Sequence, residues 1–195
     1  AVDLALQWEP DGQNGGFYEW KLGVARKLVF SKVKTALGLD NIRAVACGSA
    51  ALAPRLARFF CAAGIPIYEG YGLTETSPVV TVNSDVKPGL MRIGYVGKLI
   101  DGVDVKFGSD DEILVRGFNV MMGYYKDEAK TAEVMTDDWF HTGDIGRMDD
   151  GFLKITDRKK EMFKTSGGKY VAPQLLENAL KASLFIEQVM VCLLY

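Results

Sequence analysis

The sequence predicts an α/β segment, then a small β-rich, barrel-like segment, then the start of an α+β segment. Three observations point there. Residues 42–69 run strand, helix, strand, the order of a parallel crossover unit. From Gly89 to Asp157, short β-like runs alternate with turns. After Lys160, a hairpin-like stretch leads to a helix opened by Pro173. These changes of texture divide the chain at 1–88, 89–159 and 160–195.

Residues 17–37 carry Leu22, Ala25, Leu28, Val29, Val33 and Leu37 at helical spacing, with Gly38 as a stop signal. Ile42–Ala46 reads as a short buried strand, followed by the small-residue turn Cys47–Ala51. Pro54 suits the first turn of a helix because its missing N–H would have no partner there anyway, and Gly64 ends the pattern. Ile65–Glu69 is the second strand. Val103–Phe107, Glu112–Arg116 and Phe152–Thr156 are further strands, and Asp127–Val134 is a short helix. Met162–Val171 turns at Gly167-Gly168, and a last strand follows the Pro173 helix.

The 195 residues are 48% hydrophobic and 25% charged, the balance of a globular protein rather than a disordered one. A net charge of −2 argues against broad attraction to nucleic acid or anionic lipid. No apolar run approaches the roughly 20 residues that span a bilayer. Asp3 and Glu9 interrupt the start, where a secretory leader would be basic and then apolar. The expected location is cytoplasmic, with peripheral membrane contact allowed. Cys47, Cys61 and Cys192 have no metal-ligand spacing and read as free thiols. The first residue is not Met and the last residues are apolar, so the sequence reads as a piece cut at both ends.

The strongest chemical signal is Tyr71-Gly72-Leu73-Thr74-Glu75-Thr76-Ser77-Pro78, directly after a predicted strand. Open α/β sheets bind ligands on such loops. The segment offers an aromatic face, a glycine permitting close approach, hydroxyls for phosphate, and one carboxylate for Mg²⁺. By itself it is equally a polar turn. The second signal is His141-Thr142-Gly143-Asp144, with Asp157-Arg158-Lys159-Lys160 further on. A carboxylate on a turn accepts both hydroxyls of a ribose, and an arginine offers five fixed donors to sugar and phosphate oxygens.

These segments resemble the core motifs of the adenylate-forming superfamily, which includes acyl-CoA synthetases, luciferases and nonribosomal adenylation domains. The resemblance covers nearly the whole chain and is nearest to long-chain fatty acyl-CoA synthetases. It rests on Asp144-Ile145-Gly146 and on Thr156-Asp157-Arg158-Lys159-Lys160-Glu161-Met162-Phe163-Lys164, continuing to Gly168-Lys169-Tyr170-Val171-Ala172-Pro173. It implies a fragment of the adenylate-forming fold: residues 1–88 end the large N-terminal domain, 89–159 form a β-rich subdomain, and 160–195 begin a mobile C-terminal domain.

The same resemblance implies roles. Tyr71 stacks on adenine beside Gly72, Thr74 touches the α-phosphate, and Glu75 holds Mg²⁺; Thr74 and Glu75 are the catalytic candidates. Asp144 and Arg158 bind the ribose. Gly48, Ser49 and Ala50 form the small-residue turn beside adenine and the acyl pocket. Lys160 is the hinge, and Gly167, Gly168 and Lys169 lie along the pantetheine of CoA. The substrates implied are fatty acid, ATP (leaving as AMP) and CoA, with Mg²⁺. The family's Gly-rich phosphate loop and C-terminal lysine are not among these residues, so the 195-residue chain alone is expected to be inactive. An adenylate-forming ligase serving a carrier protein, a noncatalytic nucleotide-binding piece and an inert fragment are the alternatives.

Other features draw blander assignments. His141, the only histidine, suits a turn before Thr142-Gly143-Asp144. Arg158–Lys169 carries five basic residues and Glu161, and suits CoA or ATP phosphates rather than nucleic acid. Met121, Met122, Tyr124 and Tyr125 form a soft apolar cluster expected to pack in the core.

Overall fold

Glycine and proline punctuation bounds two helices where the sequence predicts them, with Gly38 after the first and Pro54 and Gly64 around the second. The computed structural model describes residues 1–165, 170–181, 183 and 185–192. They form two compact units, residues 1–71 with 82–98, and residues 72–81 with 99 onward.

In the first unit, α1 is Val2–Ala5 and α2 is Gly16–Ala25. A π-helical turn, Arg26–Phe30, joins α2 to α3, Ser31–Ala36, and Gly38 ends the run at φ 68°. The predicted helix is present, but its buried face differs. Tyr18, Leu22 and Phe30 are buried, whereas Leu28, Val29 and Leu37 are exposed. The π turn, wider than an α turn, shifts the face presented by Arg26–Phe30, so Phe30 points inward while Leu28 and Val29 point out. Arg26 Nε donates to Ala62 O at 2.7 Å, and the Phe30 ring meets Phe59 edge-on at 5.7 Å. Ala5, Tyr18, Leu22, Phe30, Ala62 and Ala63 make one apolar cluster.

The crossover follows as expected: β1 is Val45–Cys47, α4 is Pro54–Ala62 with proline in its first turn, and β2 is Ile67–Tyr71. β1 and β2 pair in parallel, Val45 opposite Ile67 and Cys47 opposite Glu69. The first strand begins later than the predicted Ile42. The sheet order is β1-β2-β3-β4, with β3 at Thr81–Val82 and β4 at Lys98–Leu99.

The second unit is built on a curled antiparallel sheet. Its strands are β5 (Val103–Phe107), β6 (Glu112–Gly117), β7 (Met135–Thr136), β8 (Trp139–Asp149) and β9 (Phe152–Arg158), with α5 (Glu128–Val134) before β7. The order is β5-β6-β8-β7, and β9 also pairs with β8. The eleven residues of β8 are the main departure from expectation, since His141–Asp144 reads in sequence as a turn. Gly143 and Gly146 mimic loop punctuation, but here Gly143 lies in the bulge of β8 opposite β6, and Gly146 serves a close strand approach. A Cβ on Gly146 would lie 2.6 Å from Lys154 O. β8 pairs with β7 at residues 139–140 and with β9 at 144–149, so one strand serves both.

Beyond β9, β10 (Phe163–Lys164) pairs antiparallel with β11 (Tyr170–Val171), and α6 is Pro173–Lys181. The expected final strand does not form at residues 188–192. Val191 N instead donates to Glu177 Oε1 at 2.9 Å, and Met190 is exposed. Among the described residues, no helix is long and apolar enough to cross a membrane.

Candidate functional site

In the first unit, Gly48, Ser49 and Ala50 follow the end of β1, with Ser49 at φ 67°. A Cβ on Gly48 would stand 3.5 Å from Gly70 O, so the turn and β2 run close together. Glu69 is buried in β2, and its Oε1 accepts from Leu52 N at 3.2 Å, tying the end of that turn to the strand. Burial pushes its carboxyl up to about 7, against the smaller opposing effect of the Leu52 N–H. Tyr71 ends β2, half-buried.

In the second unit, the segment after Tyr71 folds on itself. Leu73 N donates to Thr76 Oγ1 at 2.9 Å, and that fully buried hydroxyl donates to Pro78 O at 2.8 Å. Gly72 is where this turn demands glycine: a Cβ there would lie 1.5 Å from Pro78 O. Thr74 is exposed and Glu75 half-buried. Glu75 is gripped twice, by Met121 N on its carbonyl at 2.8 Å and by the Tyr124 hydroxyl on Oε1 at 2.9 Å. Burial, then the bond to Glu75, raises the Tyr124 phenol above its ordinary value, keeping it a donor.

Asp144 sits within β8 directly opposite Arg158 of β9, and Arg158 Nε lies 3.2 Å from Asp144 Oδ1. The carboxylate is buried while the arginine side chain is 56% exposed, so one partner is fixed and the other reaches into solvent. This corrects the expectation of a turn-borne carboxylate: adjacent antiparallel strands, not two loops, bring Asp144 and Arg158 together. Thr142 Oγ1 donates to Ile113 O at 2.8 Å and accepts from Asp144 N at 3.1 Å. Asp157 is buried, with Oδ1 accepting from Arg158 N at 2.6 Å and Oδ2 without a hydrogen-bond partner. Burial raises its carboxyl above the ordinary range.

Glu112 escapes sequence reasoning. Buried at the start of β6, it accepts from His141 Nδ1 at 3.2 Å, Lys159 Nζ at 3.0 Å and Gly143 N at 3.0 Å. Lys159 Nζ also reaches Asp110 Oδ2 at 2.7 Å, and Lys159 N donates to Gly143 O. Burial pushes the Glu112 carboxyl up, but these three donors outweigh it and hold it below the ordinary range. Asp110 is likewise lowered by Lys159, whose ammonium is raised by Asp110 and then Glu112. The residues flanking Asp144 and Arg158 are thus tied to one carboxylate. His141 belongs to this network, its Nε2 lying 3.2 Å from Thr136 Oγ1, rather than to a turn. No signal in β6 marks Glu112, because its neighbours Ile113, Leu114 and Val115 are buried on both faces of the strand.

Lys160 is exposed just beyond β9. Gly167, Gly168 and Lys169 lie outside the described residues. Met122 and Tyr125 are exposed, against the expected core packing, because the 121–125 segment turns its backbone and Tyr124 toward Glu75. Among the described residues, no three metal-ligating side chains cluster. A cation at Glu75 would therefore take most of its oxygens from a ligand and water, the usual manner of Mg²⁺ with phosphates.

Residues 19–125 match the family model described as AMP-binding enzyme. The chain belongs to the AMP-binding enzyme family. Among curated relatives, long-chain-fatty-acid–CoA ligase FadD15 of Mycobacterium bovis is 45% identical over 98% of this chain and 32% of its own. Long-chain-fatty-acid–CoA ligase 5 of Rattus norvegicus is 40% identical over 90% of this chain and 28% of its own. The chain spans about a third of the length of these relatives. Among solved structures, anthranilate CoA ligase AuaEII with anthranoyl-AMP matches with a TM-score of 0.67 and 26% identity, over 77% of this chain and 31% of that one. O-succinylbenzoate CoA synthetase from Bacillus subtilis with ATP and magnesium matches with a TM-score of 0.64 and 27% identity, over 77% and 34%. The adenylate-forming fold expected from sequence is thus shown.

Proposed function

We propose that the whole protein carrying this AMP-binding segment is an AMP-forming, long-chain fatty acid–CoA ligase. The pairing of Asp144 with Arg158 carries the nucleotide half: a buried carboxylate beside an exposed guanidinium suits the two hydroxyls of a ribose and a nearby phosphate. The fatty acyl half rests on similarity, over nearly the whole chain, to long-chain ligases.

In the proposed first half-reaction, the fatty carboxylate attacks the α-phosphorus of ATP and pyrophosphate leaves. Tyr71 stacks on adenine, Gly48, Ser49 and Ala50 leave room for base and acyl chain, and Gly72 keeps the following backbone close. Thr74 donates to the α-phosphate, and Glu75 offers one carboxylate oxygen to the cation. Mg²⁺, when bound, neutralises charge on the phosphates. The protein's share is alignment and charge placement; no base is needed, because the nucleophile is already ionised.

In the second half-reaction, the CoA thiol attacks the acyl carbon and AMP leaves. Residues 160–195 act as the start of a mobile domain turning about Lys160, with Gly167, Gly168 and Lys169 beside the pantetheine, after residues 1–88 and 89–159 have held the adenylate. The 195 residues by themselves are inactive in this proposal, since the family's phosphate loop and C-terminal lysine are not among them.

The test is AMP release by the whole protein with ATP, Mg²⁺ and palmitate, with and without CoA. Steady turnover only with CoA supports the proposal. A single burst that CoA does not extend would point to another acceptor, such as a carrier protein. Nucleotide binding without any turnover would make the segment a noncatalytic nucleotide binder.

A further inference from the structure

The cluster Met121–Tyr125 has no part in the chemistry above, and it does not pack as a core. Its Tyr124 is held on one side and holds Glu75 on the other. Asp127 caps α5 by accepting from Lys130 N at 3.0 Å. Thr131, on the same helix, donates to Asp127 O at 2.9 Å and accepts from Tyr124 N at 2.9 Å. Lys130 Nζ stands 4.6 Å over the Tyr124 ring. Gly123, at φ 151°, lets the chain pass Thr131, where a Cβ would lie 2.9 Å from the threonine side chain. From this mount, the Tyr124 hydroxyl donates to Glu75 Oε1 at 2.9 Å across 49 residues of sequence, while Met121 N holds Glu75 O.

A lone carboxylate on a short turn has several rotamers, and a cation bound mainly by substrate oxygens and water selects only one of them. Holding Oε1 removes that freedom before the cation arrives and leaves Oε2 to face it. We propose that Tyr124 is a positioning residue for the cation-binding carboxylate Glu75, mounted on α5 through Thr131. This rests on Glu75 as the cation ligand in the proposed function.

The experiment uses the whole protein with a nonhydrolysable ATP analogue, and Mn²⁺ as the spectroscopic stand-in for Mg²⁺. Mn²⁺ affinity is read by electron paramagnetic resonance, metal-free AMP affinity by calorimetry, and folding by melting temperature. Tyr124→Phe should weaken Mn²⁺ binding about fivefold, the worth of one ordinary hydrogen bond. AMP affinity and melting temperature should stay unchanged, since the ring and its packing remain. Thr131→Ala should weaken Mn²⁺ binding in the same direction by less, and Thr131→Ser should restore it. Glu75→Gln is the control and should weaken Mn²⁺ binding more than Tyr124→Phe. If Glu75→Gln weakens Mn²⁺ binding and Tyr124→Phe leaves it at the wild-type value, the positioning role is overturned and the Glu75 assignment stands. If Glu75→Gln itself changes nothing, both fall. A Tyr124→Phe protein that loses Mn²⁺ and AMP affinity in equal measure also overturns the proposal, because a role confined to Glu75 does not reach metal-free nucleotide.

Discussion

Glu69→Gln separates the electrostatic cost of a buried carboxylate from its structural use. Glu69 lies in the middle of β2, beside β1, and its Oε1 accepts from Leu52 N. A glutamine keeps the carbonyl oxygen that this N–H needs but never ionises. Burial raises the carboxyl from 4.5 to about 7 in the folded chain. The sign follows from proton linkage: between these values the folded state holds a proton that the unfolded state has released, so stability falls as pH rises. Below the lower value both states are protonated and nothing is lost; above the upper one the full penalty is present. Each pH unit between them is worth about 1.4 kcal/mol. The glutamine variant should therefore be more stable than wild type by under about 1 kcal/mol at pH 5 and by about 3 kcal/mol at pH 8. Urea denaturation of the 195-residue chain at a series of pH values measures this directly. A constant gap between the two proteins from pH 5 to pH 8 would refute the reasoning, and so would a glutamine variant less stable than wild type at pH 8.

Other perturbations probe the rest of the fold. Lys159→Met removes a donor from Glu112 and the partner of Asp110, and should cost about 1–2 kcal/mol at pH 7, mostly from the buried Glu112 side. Because both carboxyls are held low in the fold, the deficit should shrink as pH falls below about 4, which urea denaturation of both chains at about pH 7 and about pH 3 would check. Gly72→Ala drives a Cβ into the Pro78 carbonyl and should destabilise by about 3 kcal/mol or more, seen as a lower urea midpoint; a midpoint unchanged from wild type would contradict the close approach. Asp144→Asn in the whole protein keeps the shape of the side chain but loses its charge, and AMP affinity by calorimetry should fall about tenfold. Retained affinity there would remove Asp144 from the ribose site.

The crossover of the first unit is legible in sequence because its signals are local. Pro54 opens α4, Gly64 closes it, and apolar strands flank it within a short stretch of chain. The chemistry of residues 71–78 is equally legible, since its aromatic, hydroxyl and carboxylate groups are contiguous. The face of α2 is not, because a π turn changes the helical step without a marker in composition. The strand β8 is not, because its glycines carry the signature of turns while serving a bulge and a close approach.

The sequence by itself determined which residue types are available at the nucleotide motifs and the family to which they belong. Only the tertiary structure decided their partners. Asp144 meets Arg158 because β8 and β9 pair in one register, and a slip of one residue would send either side chain to the opposite face. Glu112 gathers His141, Gly143 and Lys159 because three strands converge there. Tyr124 reaches Glu75 because Met121 N holds the Glu75 carbonyl and Thr131 of α5 holds the Tyr124 backbone. Hydrogen bonds act over about 3 Å. Groups dozens of residues apart come within that distance only when register and packing bring them there, and no local pattern of residues encodes either.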